Sequence, residues 1–366
     1  MSESSSMILL GIGTAGCVIA RGVSRAFGDG LRYALADTDA ASGQAGGPFT
    51  LLGGDRLSGR GSGGDIVAAR LATEDSVQVL DEHLQGVRLA VIVTALGGGT
   101  GGGSTLETVK HLADMGIPSI VFATLPFAFE GNDRMRNAQG VMSMIEGCAN
   151  ATFFIPLDKL VLDEDNMQVA MQRAIDTMAG GVTLFWRLVE KPGYIHIDTE
   201  RIRHLITNAG RGRFATVTVQ GPARTAEAID KLIRSELLAA ATAPVRSILC
   251  GVLAGEDLRL SEVGQIADGI RSAFGERLTF DLGTVNDEAT FCGRLSVVVM
   301  LFEVDKAPDS NAASGVLSGR KPHHGRGNLG VGPSGRGRFN NVEPTIWNGE
   351  DLDIPTFIRR NVNLDF

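Results

Sequence analysis

Two glycine-rich stretches hold the residues best suited to chemistry. Residues 96–104 read Leu-Gly-Gly-Gly-Thr-Gly-Gly-Gly-Ser, between an apolar run at 89–95 and a helical pattern at 105–115. Backbone N–H groups unshielded by side chains can close on phosphate oxygens, and the following helix start adds partial positive charge. Gly97, Gly98, Gly99, Thr100, Gly101, Gly102 and Gly103 are therefore candidate phosphate ligands. A flexible glycine linker is the plainer alternative, but a linker has no reason to sit between a buried strand and a helix. The second stretch, Gly11-Ile12-Gly13-Thr14-Ala15-Gly16, has Gly-x-Gly-x-x-Gly spacing, with Asp37 and Asp39 further on. Alone it fits a dinucleotide oxidoreductase. Such a site needs one glycine turn rather than two, and neither stretch carries the Gly-Lys-Ser/Thr of a P-loop.

The elements around these turns define the frame. Apolar runs at residues 7–12, 33–36, 89–95, 117–124 and 152–155 alternate with helical patterns. This predicts a parallel sheet covered by helices, with ligands at the carboxyl ends of the strands. Residues 166–189 read as one long helix ending at Lys191-Pro192-Gly193. Strand patterns at 214–220, 245–253, 277–285 and 295–304, with helices near 223–238 and 261–274, predict a smaller α/β domain. Beyond Val304 the composition turns to Gly, Ser, Pro, Asn and Arg, which buries too little surface to offset chain entropy. The expected fold class is α/β. A Rossmann-like nucleotide-binding domain occupies residues 1–165, a central helix 166–192 and a second domain 193–305. A disordered basic linker at 306–347 and a docking peptide at 348–366 complete the chain.

The net charge of −8 conceals a split. Residues 306–347 carry six Lys/Arg against two Asp/Glu, so the rest sums to −12. An acidic body disfavours nucleic acid as a partner. The basic stretch is a solvated tether first, and a contact for anionic lipid or a neighbouring acidic body second. Cys17, Cys148, Cys250 and Cys292 are widely spaced, which fits reduced thiols and a cytoplasmic setting better than a disulfide framework. No leader-like amino terminus or membrane-length apolar run is expected from these residues.

With these motifs in order, the chain resembles the tubulin/FtsZ superfamily, whose signature is a Gly-Gly-Gly-Thr-Gly-Ser/Thr-Gly loop. Gly97 to Gly103 matches six of its seven positions, with Gly102 in place of Ser or Thr. Gly11 to Gly16 is similar to the family's first phosphate loop, and Asp37-Thr38-Asp39 to its second. Gly59 to Gly64, including Gly61, Ser62 and Gly63, is similar to the third. Residues 126–134 resemble the Pro-Phe-x-Phe-Glu-Gly-x-x-Arg segment of the FtsZ branch, and Asp353-Ile354-Pro355-Thr356-Phe357-Ile358-Arg359 its terminal peptide.

The resemblance implies GTP/GDP binding with Mg2+ and head-to-tail assembly with other copies of the chain. It implies a cytoplasmic place at the division site, and docking of the terminal peptide on membrane-tethering partners of FtsA or ZipA type. Membrane contact would thus be indirect, with Asp353, Ile354, Pro355, Phe357 and Ile358 as docking residues. It assigns Asp176 to the guanine edge, where an ionised acid accepts two adjacent N–H donors that adenine lacks. Glu130 and Arg134 become ribose contacts, although an i, i+4 ion pair on a helix surface is their plainer role. Departures from the pattern are Val18 and Leu157, each for Asn, and Gln172 for a stacking Phe.

The family's hydrolytic loop, Asn-x-Asp-x-x-Asp from the next subunit, corresponds to His196-Ile197-Asp198-Thr199-Glu200-Arg201. Asp198 is retained, and Arg201 stands where the second acid belongs. Either Glu200 takes over that role, giving Asp198 and Glu200 as catalytic acids, or Arg201 faces phosphate charge and turnover is slow. Arg201 as an ordinary surface cation is the third possibility. Two functional classes remain beside the oxidoreductase: a polymerising GTPase that scaffolds division, and a nucleotide-binding structural filament with weak or no GTPase activity.

Overall fold

A computed structural model describes residues 6–162, 165–191, 193–207, 209–239 and 244–303, together with the pairs 346–347 and 350–351. Apart from those two pairs, the linker and docking-peptide assignments, including Asp353, Ile354, Pro355, Phe357 and Ile358, lie outside the described residues. At the far end, the two-residue strands Ile346–Trp347 and Glu350–Asp351 pair antiparallel.

The larger unit is built on one ten-stranded sheet. Its strands are β1 (Met7–Ile12), β2 (Tyr33–Asp37), β3 (Phe49–Leu51), β4 (Leu89–Ala95), β5 (Ser119–Leu125), β6 (Ala151–Pro156), β7 (Gly210–Gln220), β8 (Val245–Ala254), β9 (Thr279–Asn286) and β10 (Arg294–Glu303). They run in the order β3-β2-β1-β4-β5-β6-β7-β10-β8-β9, parallel throughout except for β10, which is antiparallel to β7 and β8. The expected strands are present. The largest shift is β7, which starts at Gly210 because Gly212 gives Phe153 room: a Cβ there would lie 2.5 Å from that ring.

Alternation along the strands assigns the layers. Met7 and Leu9 face one core with Leu89, Val91 and Val93, while Ile8, Leu10 and Ile12 face another with Ala90 and Ile92. All are buried, as expected of a sheet covered on both sides.

The helices are α1 (Gly13–Phe27), α2 (Gly54–Leu57), α3 (Ile66–Glu74), α4 (Asp81–Leu84), α5 (Gly99–Asp114), α6 (Asn132–Glu146), α7 (Met167–Glu190), α8 (Thr199–Ile206), α9 (Arg224–Ile233), α10 (Glu236–Ala239), α11 (Leu260–Phe274) and α12 (Glu288–Phe291). Residues of α1 and α7 fill the first core, those of α5 and α6 the second, and those of α9 and α11 a third against β7, β8 and β10.

The central helix α7 has 24 residues, capped by the Asn166 side chain on Val169 N–H at 3.0 Å. Its buried Phe185 packs on Phe122, which also meets Phe153 and Phe214 at centroid distances of 5.0 and 4.9 Å. Aromatic rings from β5, β6 and β7 thus close the seam where the sheet passes from its first six strands to its last four. Among the described residues no helix is long and apolar enough to cross a membrane.

Candidate nucleotide site and the opposite face

The two glycine turns meet. A Cβ on Gly13, which has φ of +75°, would lie 3.3 Å from Gly101 N and 3.7 Å from Thr100 Cβ. β1 and β4 are neighbours in the sheet, so the turns that follow them emerge side by side at the carboxyl ends of both strands.

The glycine run is more helix than loop. Gly97 and Gly98 form the turn, and α5 begins at Gly99 rather than near Thr105. Glycine in a helix costs roughly 1 kcal/mol relative to alanine, and packing overrides that propensity here. A Cβ on Gly101 would fall within the radius of Ala95 O, and one on Gly103 would meet the backbone of Ile66 and Arg70. Gly99 lies against Ser62 and Asp65, its would-be Cβ 2.5 Å from Asp65 O. All three of Gly101, Gly102 and Gly103 are buried: Gly101 lies against the end of β4, Gly102 against Val141 of α6, and Gly103 lets α3 and α5 approach. Gly98 and Thr100, half-buried, form the rim, and a Cβ on Gly98 would meet nothing within 4 Å.

The helix starts at this rim fit an anion. α3, α7 and α8 are capped by the side chains of Asp65, Asn166 and Asp198. α1 and α5 have no side-chain cap and no acid in the first turn. Their leading N–H groups, which a helix cannot satisfy internally, converge where the two glycine turns touch. Exposed Thr14 and Ala15 belong to the first turn of α1, and Gly11 and Gly16 lie buried on either side of them.

Asp37 organises the remaining loops. Its carboxylate, 1% exposed, accepts from Thr14 Oγ1 at 2.9 Å and Ser42 Oγ at 2.5 Å through Oδ2. Through Oδ1 it accepts from the backbone N–H of Thr38 at 2.7 Å and of Asp39 at 3.3 Å. Thr38 Oγ1 is 2.6 Å from Thr100 Oγ1, tying the second loop to the glycine run. Asp39 caps Ala41 N–H and pairs by a β-bridge with Arg60, which brings Gly61 against it. Ser62 reaches Gly99, while Gly63 stands exposed. Four chain-distant loops therefore converge. Ser42 was not among the candidates from sequence; a serine in a short loop carries no spacing signal.

Glu130 and Arg134 form the i, i+4 ion pair at 2.5 Å, and Glu130 also accepts from Phe127 N–H at 3.0 Å. They border the glycine run, since a Cβ on Gly97 would lie 2.6 Å from Pro126 and 3.2 Å from Arg134 O. Asp176 is exposed on α7 and accepts from Gln172 Nε2 at 2.8 Å. α1 and α7 pack in the same direction: Gly22 lies against Ala179, and Ala26 O further along accepts from Arg187 Nη2 at 3.0 Å. Asp176, one turn before Ala179, thus runs alongside Val18, one turn before Gly22 and toward the glycine-turn end of α1. Val18 lines a recess of about 370 Å³ with Arg21, Ser24 and Tyr33. Leu157 packs partly buried on the core beside α7.

The hydrolytic-loop residues are elsewhere. Thr199 Oγ1 is 3.1 Å from Ser6 Oγ, and Glu200 pairs with Arg88 at 2.6 Å. Ser6 and Arg88 precede β1 and β4, whereas the glycine turns follow those strands. The lengths of β1 and β4 separate the two groups by about 20 Å at ~3.3 Å per residue. Within one chain, Asp198 and Glu200 are not brought to the glycine turns. Asp198 caps α8 through Arg201 N–H at 2.7 Å, and Glu200 also binds Arg203 at 2.9 Å. Arg201 pairs with Asp281 at 2.6 Å. Asp281 was not singled out from sequence, although an acid inside the strand pattern Thr-Phe-Asp-Leu-Gly-Thr-Val is the signal that marks it.

Among the described residues, no three His, Cys, Asp or Glu side chains are grouped to hold a metal ion.

The chain matches known proteins across this architecture. The family described as "Tubulin/FtsZ family, GTPase domain" matches residues 6–162, and "FtsZ family, C-terminal domain" matches residues 210–305. The "Cell division protein FtsZ" of Pseudomonas putida is 29% identical over 291 residues, covering 78% of this chain and 73% of that protein. The same-named protein of Coxiella burnetii is 29% identical over 265 residues, covering 71% and 69%.

Among solved structures, the empty FtsZ dimer of M. jannaschii superposes with a TM-score of 0.76 at 24% identity, over 82% of this chain and 88% of that one. A GTPγS-bound protofilament of CetZ2 from Haloferax volcanii gives 0.69 at 21% identity, over 82% and 93%. Both share the fold. The two family matches span more than half the chain and include every glycine turn described above, and the chain belongs to the tubulin/FtsZ family of GTPases.

Proposed function

We propose that this protein assembles head to tail into filaments that scaffold bacterial cell division, and that GTP is hydrolysed where two subunits meet. One observation carries the reading: the uncapped helix starts and the acidic α8 loop stand at opposite ends of β1 and β4. Stacking identical chains along that direction sets the loop of one against the glycine turns of the next, a heterologous contact that repeats without closing. The backbone N–H groups at Gly98 to Thr100 and Gly13 to Ala15 then hold the phosphates, and Asp176 selects guanine. Asp198 of the next subunit orients the attacking water. Mg2+ takes most of its ligands from phosphate and water, which suits a site without a dedicated cage of acids.

GTP-dependent pelleting, compared with ATP, GDP and NAD, tests this. Sedimentation should require GTP, and pelleting indifferent to nucleotide would end the proposal. A second reading, a structural filament with weak hydrolysis, draws on Glu200 and Arg201 both being engaged in ion pairs within the chain. Filaments that outlast the GTP supply would favour it.

The terminal peptide, with Ile354, Phe357 and Ile358 as apolar anchors, is assigned to docking on membrane tethers of FtsA or ZipA type. That places the filament on the cytoplasmic face of the division site. Deleting residues 348–366 should spare pelleting and abolish recruitment to tether-bearing vesicles; joint loss would refute this division of labour.

A further inference from the structure

Arg201 occupies the loop position where the family pattern has its second acid, yet an acid stands beside it. Asp281, in β9, receives Arg201 Nε and Nη2 on a single oxygen, Oδ1, both at 2.6 Å. The Asp281 side chain is 12% exposed, and its Oδ2 is buried with no hydrogen-bond partner among the described residues. The backbone N–H of the same arginine is bonded to Asp198 Oδ1 at 2.7 Å. Arg201 is thus held from two sides, by the retained loop acid and by a strand acid, while 43% of its side chain stays open to solvent. It also lines a recess of about 270 Å³ with His204, Arg246 and Ser247, whose buried hydroxyl has no partner among the described residues.

From this geometry we infer that Arg201 is a cation supplied to the phosphate of the next subunit's GTP, and that Asp281 is the positioning residue that aims it. The inference rests on the interface hydrolysis proposed above and deepens it. In that reaction the water oxygen bonds to the γ-phosphorus as the bond to the β,γ-bridging oxygen breaks. GDP leaves with the bridging oxygen and its electron pair, and the water's proton is released with inorganic phosphate. Negative charge spreads over the phosphoryl and bridging oxygens in the transition state, where a planar guanidinium is an effective counter-charge.

An unrestrained arginine would lose rotamer freedom on every encounter. Asp281 fixes one edge of the fork beforehand and leaves the Nη1 end for phosphate. The loop has then exchanged its second acid for a cation, with Asp198 alone on the water side.

Phosphate release per pelleted subunit, pelleting with a slowly hydrolysed GTP analogue, and GTP binding are measured on the full chain. The variants are Arg201→Ala, Arg201→Gln, Asp281→Asn and the charge-reversed pair Arg201→Asp with Asp281→Arg. Both arginine variants should bind GTP and pellet, with release per pelleted subunit down about tenfold or more; Asp281→Asn should lose several-fold. The reversed pair restores the attraction between α8 and β9, so it should pellet; release is read in the single variants, because Arg201→Asp puts an acid at the family's second-acid position.

Unchanged release per pelleted subunit in Arg201→Gln or in Asp281→Asn would make the contact a structural clamp and overturn the inference. Loss of pelleting in the reversed pair with GTP binding intact would make it an assembly contact, also overturning it. A wild-type chain that binds GTP and does not pellet removes the interface and both readings together, so the wild-type control separates the two failures.

Discussion

The two ends of β1 and β4 carry different kinds of chemistry. At the carboxyl ends, backbone N–H groups and side-chain-free contacts form the proposed phosphate site, and at Gly99, Gly101 and Gly103 no side chain fits without moving the chain. At the opposite ends, the α8 loop presents side chains held by ion pairs: Arg201 stands where the family resemblance expects an acid, and its charge is met from β9. A site built from main chain is fixed by sterics, whereas one built from side chains tolerates substitution when a partner changes with it.

Gly101→Ala strikes the first end hardest. With backbone against backbone at Ala95 O, neither partner can turn aside, and the cost should be on the order of 4 kcal/mol. Urea unfolding reads it; a midpoint close to wild type would break the steric half of the comparison.

Next in size is Glu262→Gln. The acid holds buried Arg224 at 2.8 Å and accepts from Arg259 N–H at 3.0 Å. Arg224 keeps a second partner, Asp257 at 2.6 Å, so losing the charged contact should cost about 2 kcal/mol. Arg224 beside it pulls the Glu262 carboxyl down to about 2 from its usual 4.5. A lowered acid stabilises the fold above its unfolded value, so the pair's contribution is complete at neutral pH. It fades as pH falls from about 4.5 towards 2. The gap in melting temperature between wild type and variant should narrow over that window; a constant gap would contradict it.

Asp176→Asn should leave folding untouched, because the side chain is exposed, and weaken GTP binding by about 10- to 100-fold, the worth of hydrogen bonds to a charged acceptor. Equal affinity for GTP in both proteins would remove Asp176 from the base site. Arg88→Ala is the mildest change. Its pair with Glu200 is half-exposed on both sides, 56% and 49%, and such pairs contribute less than about 1 kcal/mol. A larger loss would mean that the second face is as rigid as the first.

The sequence made the backbone-built end legible. Short apolar strand runs at 7–12 and 89–95, each followed by a glycine turn, set the Gly11 and Gly97 turns at the carboxyl ends of parallel strands; that β1 and β4 are neighbours, so that the turns touch, is legible only in the fold. The start of α5 was hidden: propensity argues against a helix of glycines, and only the contacts of Gly101 and Gly103 with neighbouring backbone explain why it forms. The side-chain end was half legible. Asp198, Glu200 and Arg201 stood out by their loop pattern, but the partners Arg88 and Asp281 lie 112 and 80 residues away in sequence, and no local periodicity links them. Asp37 was picked out for its spacing from a glycine turn; its part as the buried knot of three loops depends on Ser42 and Thr38, whose short side chains give no pattern.

The separation of Asp198 from the glycine turns has a further consequence, in the arithmetic of assembly. Under the proposed stacking no single chain holds a whole hydrolytic centre, and a row of n subunits contains n − 1 of them. The reaction is a property of contacts rather than of molecules. The terminal subunit with its nucleotide uncovered has no neighbouring loop to act on it, and its GTP persists while the interior ages. A filament made this way records its own history along its length, youngest at the uncovered end, with no separate timing device.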